Sequence, residues 1–195
     1  MSAIIGYYLV VIVCAIMCDS IFEWILHRYL MHRPVRFLRF AFKKHTLVHH
    51  SIFRADKSYH CGREADKRAI RMAWWIGPVL VAVLLLPCAA VTIPLGLWSV
   101  LITFGVVSCI YFSVYEYSHW CMHLPMTRRR LVERWMVAFR FLNGHHILHH
   151  RYMEKNLNVV LPFADFVFGT LLTRAPKPFP QPKGEMVPDV QPLLR

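Results

Sequence analysis

Residues 2–26 read S-A-I-I-G-Y-Y-L-V-V-I-V-C-A-I-M-C-D-S-I-F-E-W-I-L, an apolar run that determines the fold class. A helix needs roughly 20 apolar residues to cross the hydrocarbon core of a bilayer. The run is not preceded by the basic residues of a cleavable secretory signal. We therefore expect a retained membrane span in an all-α integral membrane protein.

Two further apolar runs, 73–90 and 95–115, are predicted to cross the membrane as a helical hairpin. The turn between them is uncharged and contains Pro94 and Gly96. Pro78 and Pro87 fall inside the first of these runs and are expected to kink it. The basic, aromatic stretch 36–48 is expected to lie along the interface. The sequence thus predicts a bundle of three to four spans.

The charge pattern supports a membrane protein. The 195 residues are 56% hydrophobic with a net charge of +12, and all 23 Lys and Arg lie within 28–71 and 128–195. Basic blocks that flank long apolar runs argue against a nucleic-acid partner. The positive-inside rule places both blocks on the cytoplasmic side. We expect one membrane-embedded domain, 1–174, and a poorly ordered proline-rich tail, 175–195.

Basic and apolar residues alternate over Arg128 to Arg140, as in an amphipathic helix on a membrane surface. This pattern predicts contact with anionic phospholipids, and a solvated helix is the alternative. The six cysteines include no C-x-x-C pair and lie mostly in apolar segments. Neither a disulfide framework nor a thiolate zinc site is therefore indicated.

The first histidines follow the first span directly. Asp19, Glu23 and His27 are spaced four residues apart, so they share one stripe of the helix. Carboxylates inside a span are costly, and we expect them to hold the N–H of a metal-bound imidazole. His32 lies five residues after His27, off the face of a regular helix, so a distorted last turn is expected to bring it to the site.

The remaining histidines are also clustered. Glu116 lies one turn before His119 and is expected to orient that ring or a neighbouring one. His60 has no histidine neighbours and is predicted to be a solvated loop residue. With the N-terminus outside, three crossings bring every histidine except His60 to the cytoplasmic end of the bundle. These clustered residues are His27, His32, His45, His49, His50, His119, His123, His145, His146, His149 and His150.

So many imidazoles exceed the needs of one zinc site or of one mononuclear iron site. They fit two metal ions, each with about four or five imidazoles and room for a small exogenous ligand. A nitrogen-rich site beside apolar walls suits iron that reacts with dioxygen near an aliphatic substrate. Spacing alone leaves zinc and copper open.

Four histidine boxes can be read along the chain. The segment E-W-I-L-H-R-Y-L-M-H surrounds the first box, and D-F-V-F-G-T, Asp165 to Thr170, follows the last. The boxes are His27-x4-His32, His45-x3-His49-His50, His119-x3-His123 and His146-x2-His149-His150. From Glu23 to Thr170 the chain resembles the membrane fatty acid hydroxylase and sterol desaturase superfamily.

The resemblance implies a dinuclear metal centre on the cytoplasmic face, with dioxygen as co-substrate. It implies two iron ions, which zinc can replace in purified protein. His145 is then a spare, and like Asp165 it is expected to support the ligands from behind. The sequence contains no fused cytochrome b5 domain, so an external electron-transfer protein is expected. By position the implied ligands are His27, His32, His45, His49, His50, His119, His123, His146, His149 and His150.

The expected activity is hydroxylation of an unactivated C–H bond in an aliphatic lipid, fatty acyl or related. Lipid desaturation and carotenoid ring hydroxylation are the alternative enzymatic functions. A histidine-rich membrane protein that binds metal without catalysis is the alternative of a different class. A transport path would spread its ligands along the spans, whereas here they gather at one end.

Overall fold

The computed structural model describes residues 1–125 and 137–174, and within these ranges every regular element is helical. The predicted all-α class is confirmed. The α-helices are α1 (Ser2–Ile25), α2 (Arg39–Phe42), α3 (His50–Ile52), α4 (Ile76–Thr92), α5 (Trp98–His123), α6 (Val137–Arg151) and α7 (Phe163–Val167). The other elements are π-helical turns at Leu26–Met31 and Lys43–His49 and 3-10 turns at Lys57–Tyr59 and Glu64–Ala69.

Two of the sequence predictions concern segments that lie wholly or mostly outside the described residues. Most of the basic stretch from Arg128 to Arg140 lies outside the described residues, which resume at 137. The proline-rich segment 175–195 also lies outside them.

α1 and the π-helical turn after it form one apolar helix, Ser2–Met31, of 30 residues. At about 1.5 Å per residue it extends about 45 Å. Pro34 cannot continue a helix, because it lacks an N–H and its ring blocks the preceding turn. Ser2–Met31 and Trp98–His123 are both long and apolar enough to cross a membrane.

The predicted hairpin is formed by α4 and α5. Gly96 takes a positive φ of 67° in the turn between them, a conformation that favours glycine. α4 has 17 residues and is shorter than the other two apolar helices. α5 runs on to His123, beyond the predicted end near Tyr115, so one rigid helix carries both histidines of the third box.

The prolines of α4 behave differently from each other. Pro78 lies in the first turn of the helix, where no intrahelical N–H bond is lost, so the kink expected there is wrong. Pro87 lies inside the helix, as predicted. Directly before Pro78, Gly77 lies against α5, because a Cβ there would lie 2.2 Å from the Phe112 ring. A larger residue at this position would force that ring to shift.

The long helices present apolar side chains outward. Ile102, Val106 and Ile110 of α5 are spaced four residues apart and are each more than half exposed. α1 and α4 carry similar exposed rows of Ile, Leu and Val. The buried side chains instead concentrate at the histidine end and include many polar groups.

The cap at this end is completed by the chain after α6. Leu157 and Ala164 are fully buried and pack against Trp24 of α1. The Trp24 indole donates a hydrogen bond of 2.9 Å to Thr170 Oγ1. The apolar stretch 157–170 therefore packs against the bundle.

Candidate metal centre

Two π-helical turns position histidines that are five residues apart. In a π turn the N–H of residue i+5 bonds the carbonyl of residue i, so these two residues stand one above the other. The His32 N–H bonds the His27 carbonyl at 3.1 Å, and the two rings stack with centroids 5.0 Å apart. The predicted distortion at His32 is thus confirmed. The second π turn aligns His45 with His50, whose Nε2 atoms lie 3.1 Å apart.

One cluster combines histidines from the two π turns, α3 and α6. His27 Nε2 and His45 Nε2 are 2.8 Å apart, and His149 Nε2 lies 3.1 Å from His32 Nε2 and 3.2 Å from His50 Nε2. Their candidate ligand atoms all lie within 4.8 Å of one another. We call this the first cluster: His27, His32, His45, His50 and His149.

A second cluster lies beside the first. Four candidate ligand atoms, from His49, His119, His123 and His146, also lie within 4.8 Å of one another. His150 joins them, because its Nε2 is 3.1 Å from that of His146 and 3.3 Å from that of His49. The second cluster is therefore His49, His119, His123, His146 and His150.

The two adjacent histidine pairs are divided between the clusters. His49 and His150 belong to the second cluster, whereas His50 and His149 belong to the first. Neighbouring positions on a helix point about 100° apart, so one turn can serve two sites. One broad face of α6 carries His146, His149 and His150, and this face spans both clusters. All ten predicted ligands are brought together in the two clusters.

Backbone carbonyls orient most of the rings. A carbonyl can only accept, so each Nδ1 facing one must carry the proton, and Nε2 then presents its lone pair. His123 Nδ1 donates to Tyr59 O at 2.9 Å and His149 Nδ1 to Lys155 O at 2.8 Å. The other Nδ1 donors to carbonyls are His27 to Leu157 at 2.5 Å, His49 to Ala69 at 3.1 Å and His150 to Phe53 at 2.6 Å.

This arrangement calls for cations between the rings. The Nε2 atoms of His49 and His150 face each other at 3.3 Å, yet both Nδ1 atoms already hold the single proton of a neutral imidazole. Neither Nε2 can then donate to the other, and their lone pairs repel. In addition, the buried Nε2 of His119 makes no hydrogen bond within the described residues. A positive ion shared by these nitrogens removes the repulsion.

Burial opposes protonation of these rings. Burial, reinforced by the neighbouring His149, lowers the pKa of His32 to about 3. Burial likewise lowers the pKa of His149 to about 4 and that of His150 well below its ordinary value. These rings are neutral near pH 7, which is the state that binds metal. Each cluster can therefore hold a metal ion through nitrogen ligands alone.

Asp165 organises the loop that supplies two of the carbonyls. Its carboxylate accepts the N–H groups of Leu157 at 2.9 Å and Asn158 at 2.8 Å, and the Thr170 hydroxyl at 2.6 Å. Burial alone would raise the pKa of Asp165, but hydrogen bonds from His145, Thr170 and the backbone lower it overall. Asp165 thus fixes the loop whose Leu157 carbonyl holds His27.

His145 points away from both clusters. Its Nε2 lies 3.2 Å from Asp165 Oδ2, and both side chains are buried. The Asn156 side-chain amide donates to the His145 carbonyl at 3.0 Å. His145 therefore lies behind the ligands, where the resemblance placed it, and its contact is with Asp165.

Asp19, Glu23 and Glu116 were expected to hold or orient imidazole rings, and their contacts show that this prediction is wrong. Glu23 accepts from Tyr111 Oη at 2.7 Å and from the Val159 N–H at 2.5 Å, so it anchors the same loop and not an imidazole. Glu116 contacts the backbone of Met72. Asp19 is buried in an apolar cavity beside Ser108. Backbone carbonyls instead accept from the Nδ1–H groups of five ligand rings, and every residue has a carbonyl, so no side-chain pattern signals this role.

Thr46 was not predicted as a site residue. Its hydroxyl donates to Met31 O at 2.6 Å and lies 3.1 Å from His32 Nδ1, so it accepts the proton of that ring. Its position between His45 and His49 is the signal that the sequence offered. His60 belongs to neither cluster, and its ring meets the Tyr59 ring edge-on.

A cavity of about 590 Å³ opens beside both clusters. His45, of the first cluster, and His49 and His119, of the second, form part of its wall. Most of the remaining wall is apolar, including Leu30 and Tyr115. A hydrocarbon can therefore reach the exposed edge of the histidine clusters. We call this space the mouth cavity.

Comparison with known proteins supplied no relative: no family model, no curated protein and no solved structure matches the chain.

Proposed function

We propose that this chain is a membrane oxygenase with two iron ions that hydroxylates an unactivated C–H bond of an aliphatic lipid. The observation that carries the proposal is the placement of two five-histidine clusters, buried except for the partly buried His32 and His45, at the wall of a largely apolar cavity. A structural metal site is normally closed and needs no such access. An open apolar approach to ten convergent imidazoles favours chemistry on a hydrocarbon.

The donor set is compatible with iron, and the proposed reaction with dioxygen selects iron. The ligands are nitrogen atoms without thiolate, which suits iron, zinc and copper. Iron held by these histidines would supply activation of dioxygen, with one oxygen atom inserted into the C–H bond and the other reduced to water. An external electron-transfer protein would supply the two electrons, and solvent the two protons, that this balance requires. The protein's own residues hold the imidazoles neutral, exclude water and present the hydrocarbon.

We place the metal site at the cytoplasmic face of a three-span bundle. Two helices are long and apolar enough to span a membrane, and the outward apolar rows of α1, α4 and α5 suit contact with lipid tails. α4, with 17 residues, extends about 26 Å and needs a thin bilayer or interfacial ends. The basic residues of 28–71 lie at the histidine end, which the positive-inside rule assigns to the cytoplasm.

Membership of the fatty acid hydroxylase and sterol desaturase superfamily is part of this proposal. It is supported by the agreement between the four boxes and the two clusters, in which all ten box histidines take part. The late D-F-V-F-G-T segment adds support, because Asp165 and Thr170 bond each other within the loop that supports His27 and His149.

Metal analysis and oxygen uptake test the proposal. Purified protein loaded with iron is expected to retain about two ions per chain, which follows from two clusters of five ligands. With a reductant and a membrane lipid extract, it is expected to consume oxygen. Metal retention without oxygen uptake on acyl, sterol and carotenoid lipids would leave a metal-binding protein and overturn the oxygenase.

A further inference from the structure

Three cations contribute to the wall of the mouth cavity. Lys44, Arg68 and Arg71 contribute to its lining, and none of the described lining residues is acidic. The rest of the wall is histidine or uncharged. A neutral hydrocarbon cannot form an ion pair with these cations. Their presence in the wall therefore indicates a ligand that also carries negative charge.

Among residues 1–125 and 137–174, two of the three cations have no acidic partner. Arg71 stacks on the Trp120 ring at 5.0 Å and interacts with Glu116. The nearby acids Glu64 and Asp66 are already paired with Lys67 and Arg63. Within the described residues, Lys44 and Arg68 have no acidic partner, and both are exposed. They are therefore available to an anion that enters the mouth cavity.

None of these cations lines the apolar space that adjoins the mouth cavity. A smaller cavity of about 50 Å³ adjoins it between α1, α4 and α5, and Leu26, Leu80 and Tyr115 line both. This inner cavity is lined chiefly by apolar side chains of the long helices. The two cavities thus combine an outer space lined by cations and histidines with an inner space lined chiefly by apolar side chains.

We propose that the mouth cavity binds an amphiphile with an anionic head group, held by Lys44 and Arg68, while its aliphatic tail lies beside the histidine clusters with its end toward the inner cavity. Carboxylate and phosphate heads share this chemistry. This inference rests on the proposed function, because it identifies the amphiphile as the substrate of the oxygenase. It favours fatty acids or phosphate-bearing lipids over sterols and carotenoids, whose heads carry no charge.

Surface charge alone is the competing explanation, because basic residues also flank spans to meet anionic phospholipids. Lys43 and Arg39 belong to the same basic block but do not line the mouth cavity. The double variant Lys43→Gln/Arg39→Gln therefore removes as much charge as Lys44→Gln/Arg68→Gln. Only the second pair is expected to affect the cavity.

The test is equilibrium binding to full-length, metal-loaded protein without oxygen or reductant. Radiolabelled hexadecanoate, hexadecyl phosphate and hexadecanol share one tail and differ in the head. At least one anion is expected to bind roughly tenfold more tightly than the alcohol, as two or three exposed ion pairs allow. Which anion binds more tightly assigns the head as carboxylate or phosphate.

In Lys44→Gln/Arg68→Gln the advantage of the anions is expected to disappear, while hexadecanol binds as before and so reports an intact cavity. Lys43→Gln/Arg39→Gln is expected to retain the advantage. If the first variant does not fold, Lys44→Arg/Arg68→Lys must keep the preference. Equal binding of alcohol and anions by the wild type, or equal losses in both double variants, overturns the inference.

This experiment is separate from the test of the oxygenase. A head-group preference without oxygen uptake would support the binding site and contradict the oxygenase. Oxygen uptake without a head-group preference would support the oxygenase and contradict the binding site.

Discussion

His49 and His50 are adjacent in the chain, yet their rings serve different clusters. His49 Nε2 lies 3.3 Å from His150 Nε2, whereas His50 Nε2 lies 3.2 Å from His149 Nε2. The two adjacent pairs thus face each other across both clusters. This arrangement holds the clusters side by side at the wall of one cavity.

Removal of one ligand is expected to affect the cluster to which it belongs. His123→Ala takes a ligand from the second cluster and leaves the neighbouring Nε2 of His146 without it. Metal analysis is expected to show a fall from about two ions toward one, because metal affinity depends on the number and geometry of the ligands. Activity should be lost.

His149→Ala is the matching change in the first cluster and should give the same fall in metal content. His60→Ala is the control, since His60 lies in neither cluster. Full activity in His149→Ala, or an equal loss in His60→Ala, would contradict the assignment of ligands.

Thr46→Val tests the hydroxyl that accepts from His32 Nδ1. Loss of such a contact behind a ligand typically lowers metal affinity roughly 10- to 100-fold. Thr46→Ser retains the hydroxyl and should bind metal almost as the wild type does. Chelator competition measures the affinity of each variant. Equal affinities of the valine and serine variants would show that the hydroxyl has no part in holding His32.

Asp165→Asn tests the loop behind the ligands. The asparagine amide cannot accept all the hydrogen bonds that the carboxylate accepts from Leu157, Asn158 and Thr170. We expect the free energy of unfolding to fall by about 1–3 kcal/mol for the groups left without a partner. Weaker metal binding should follow, because Leu157 orients His27.

Thermal unfolding in detergent and chelator competition measure these two effects. Asp66→Asn removes an acid of an exposed pair and is the control. An unchanged melting temperature and metal affinity in Asp165→Asn would contradict the role of Asp165 in fixing the loop behind the ligands.

The metal-free protein is expected to lose stability as the pH falls. The ordinary pKa of histidine, about 6.5, applies in the unfolded chain, whereas burial lowers the pKa of His32 to about 3 and that of His149 to about 4 in the folded protein. Between these values the unfolded chain binds more protons, which favours unfolding. The melting temperature should therefore be level above pH 7 and fall from about pH 6.5 toward pH 4.

Circular dichroism of chelator-treated protein across this range measures the loss. Bound metal should restore much of the stability, since it binds only the neutral rings. A melting temperature that does not change between pH 7 and pH 5 would contradict the neutral, buried clusters.

The orientation in the membrane can be read from engineered cysteines. Leu95→Cys lies in the turn between α4 and α5, and Lys57→Cys lies at the histidine end. In sealed cells an impermeant maleimide should label Leu95→Cys and spare Lys57→Cys, with the wild type giving the background of native cysteines. The reverse labelling would place the site on the outer face.

Much of the site could be predicted because histidine spacing constrains a helix strongly. The five-residue separation of His27 and His32 excluded a regular turn, and a π turn is present. The clustering of the boxes followed from the alternation of apolar and basic segments.

The support of the site could not be predicted in the same way. Asp19 and Glu23 carry chemistry that suggests metal-bound imidazoles, yet carbonyls of Leu157 and Lys155 occupy that position. Every residue has a backbone carbonyl, so the sequence does not indicate which carbonyls accept these hydrogen bonds. The division of His149 and His150 between clusters also depends on where the opposing turn lies, which is a tertiary property.

The most direct test of the oxygenase uses oxygen-18. Iron-loaded protein with reductant, labelled dioxygen and an aliphatic lipid should yield an alcohol that contains one labelled oxygen atom, measured by mass spectrometry. An unsaturated product without the label would move the reaction to desaturation. An unchanged lipid, from protein that retains both ions, would contradict the central claim.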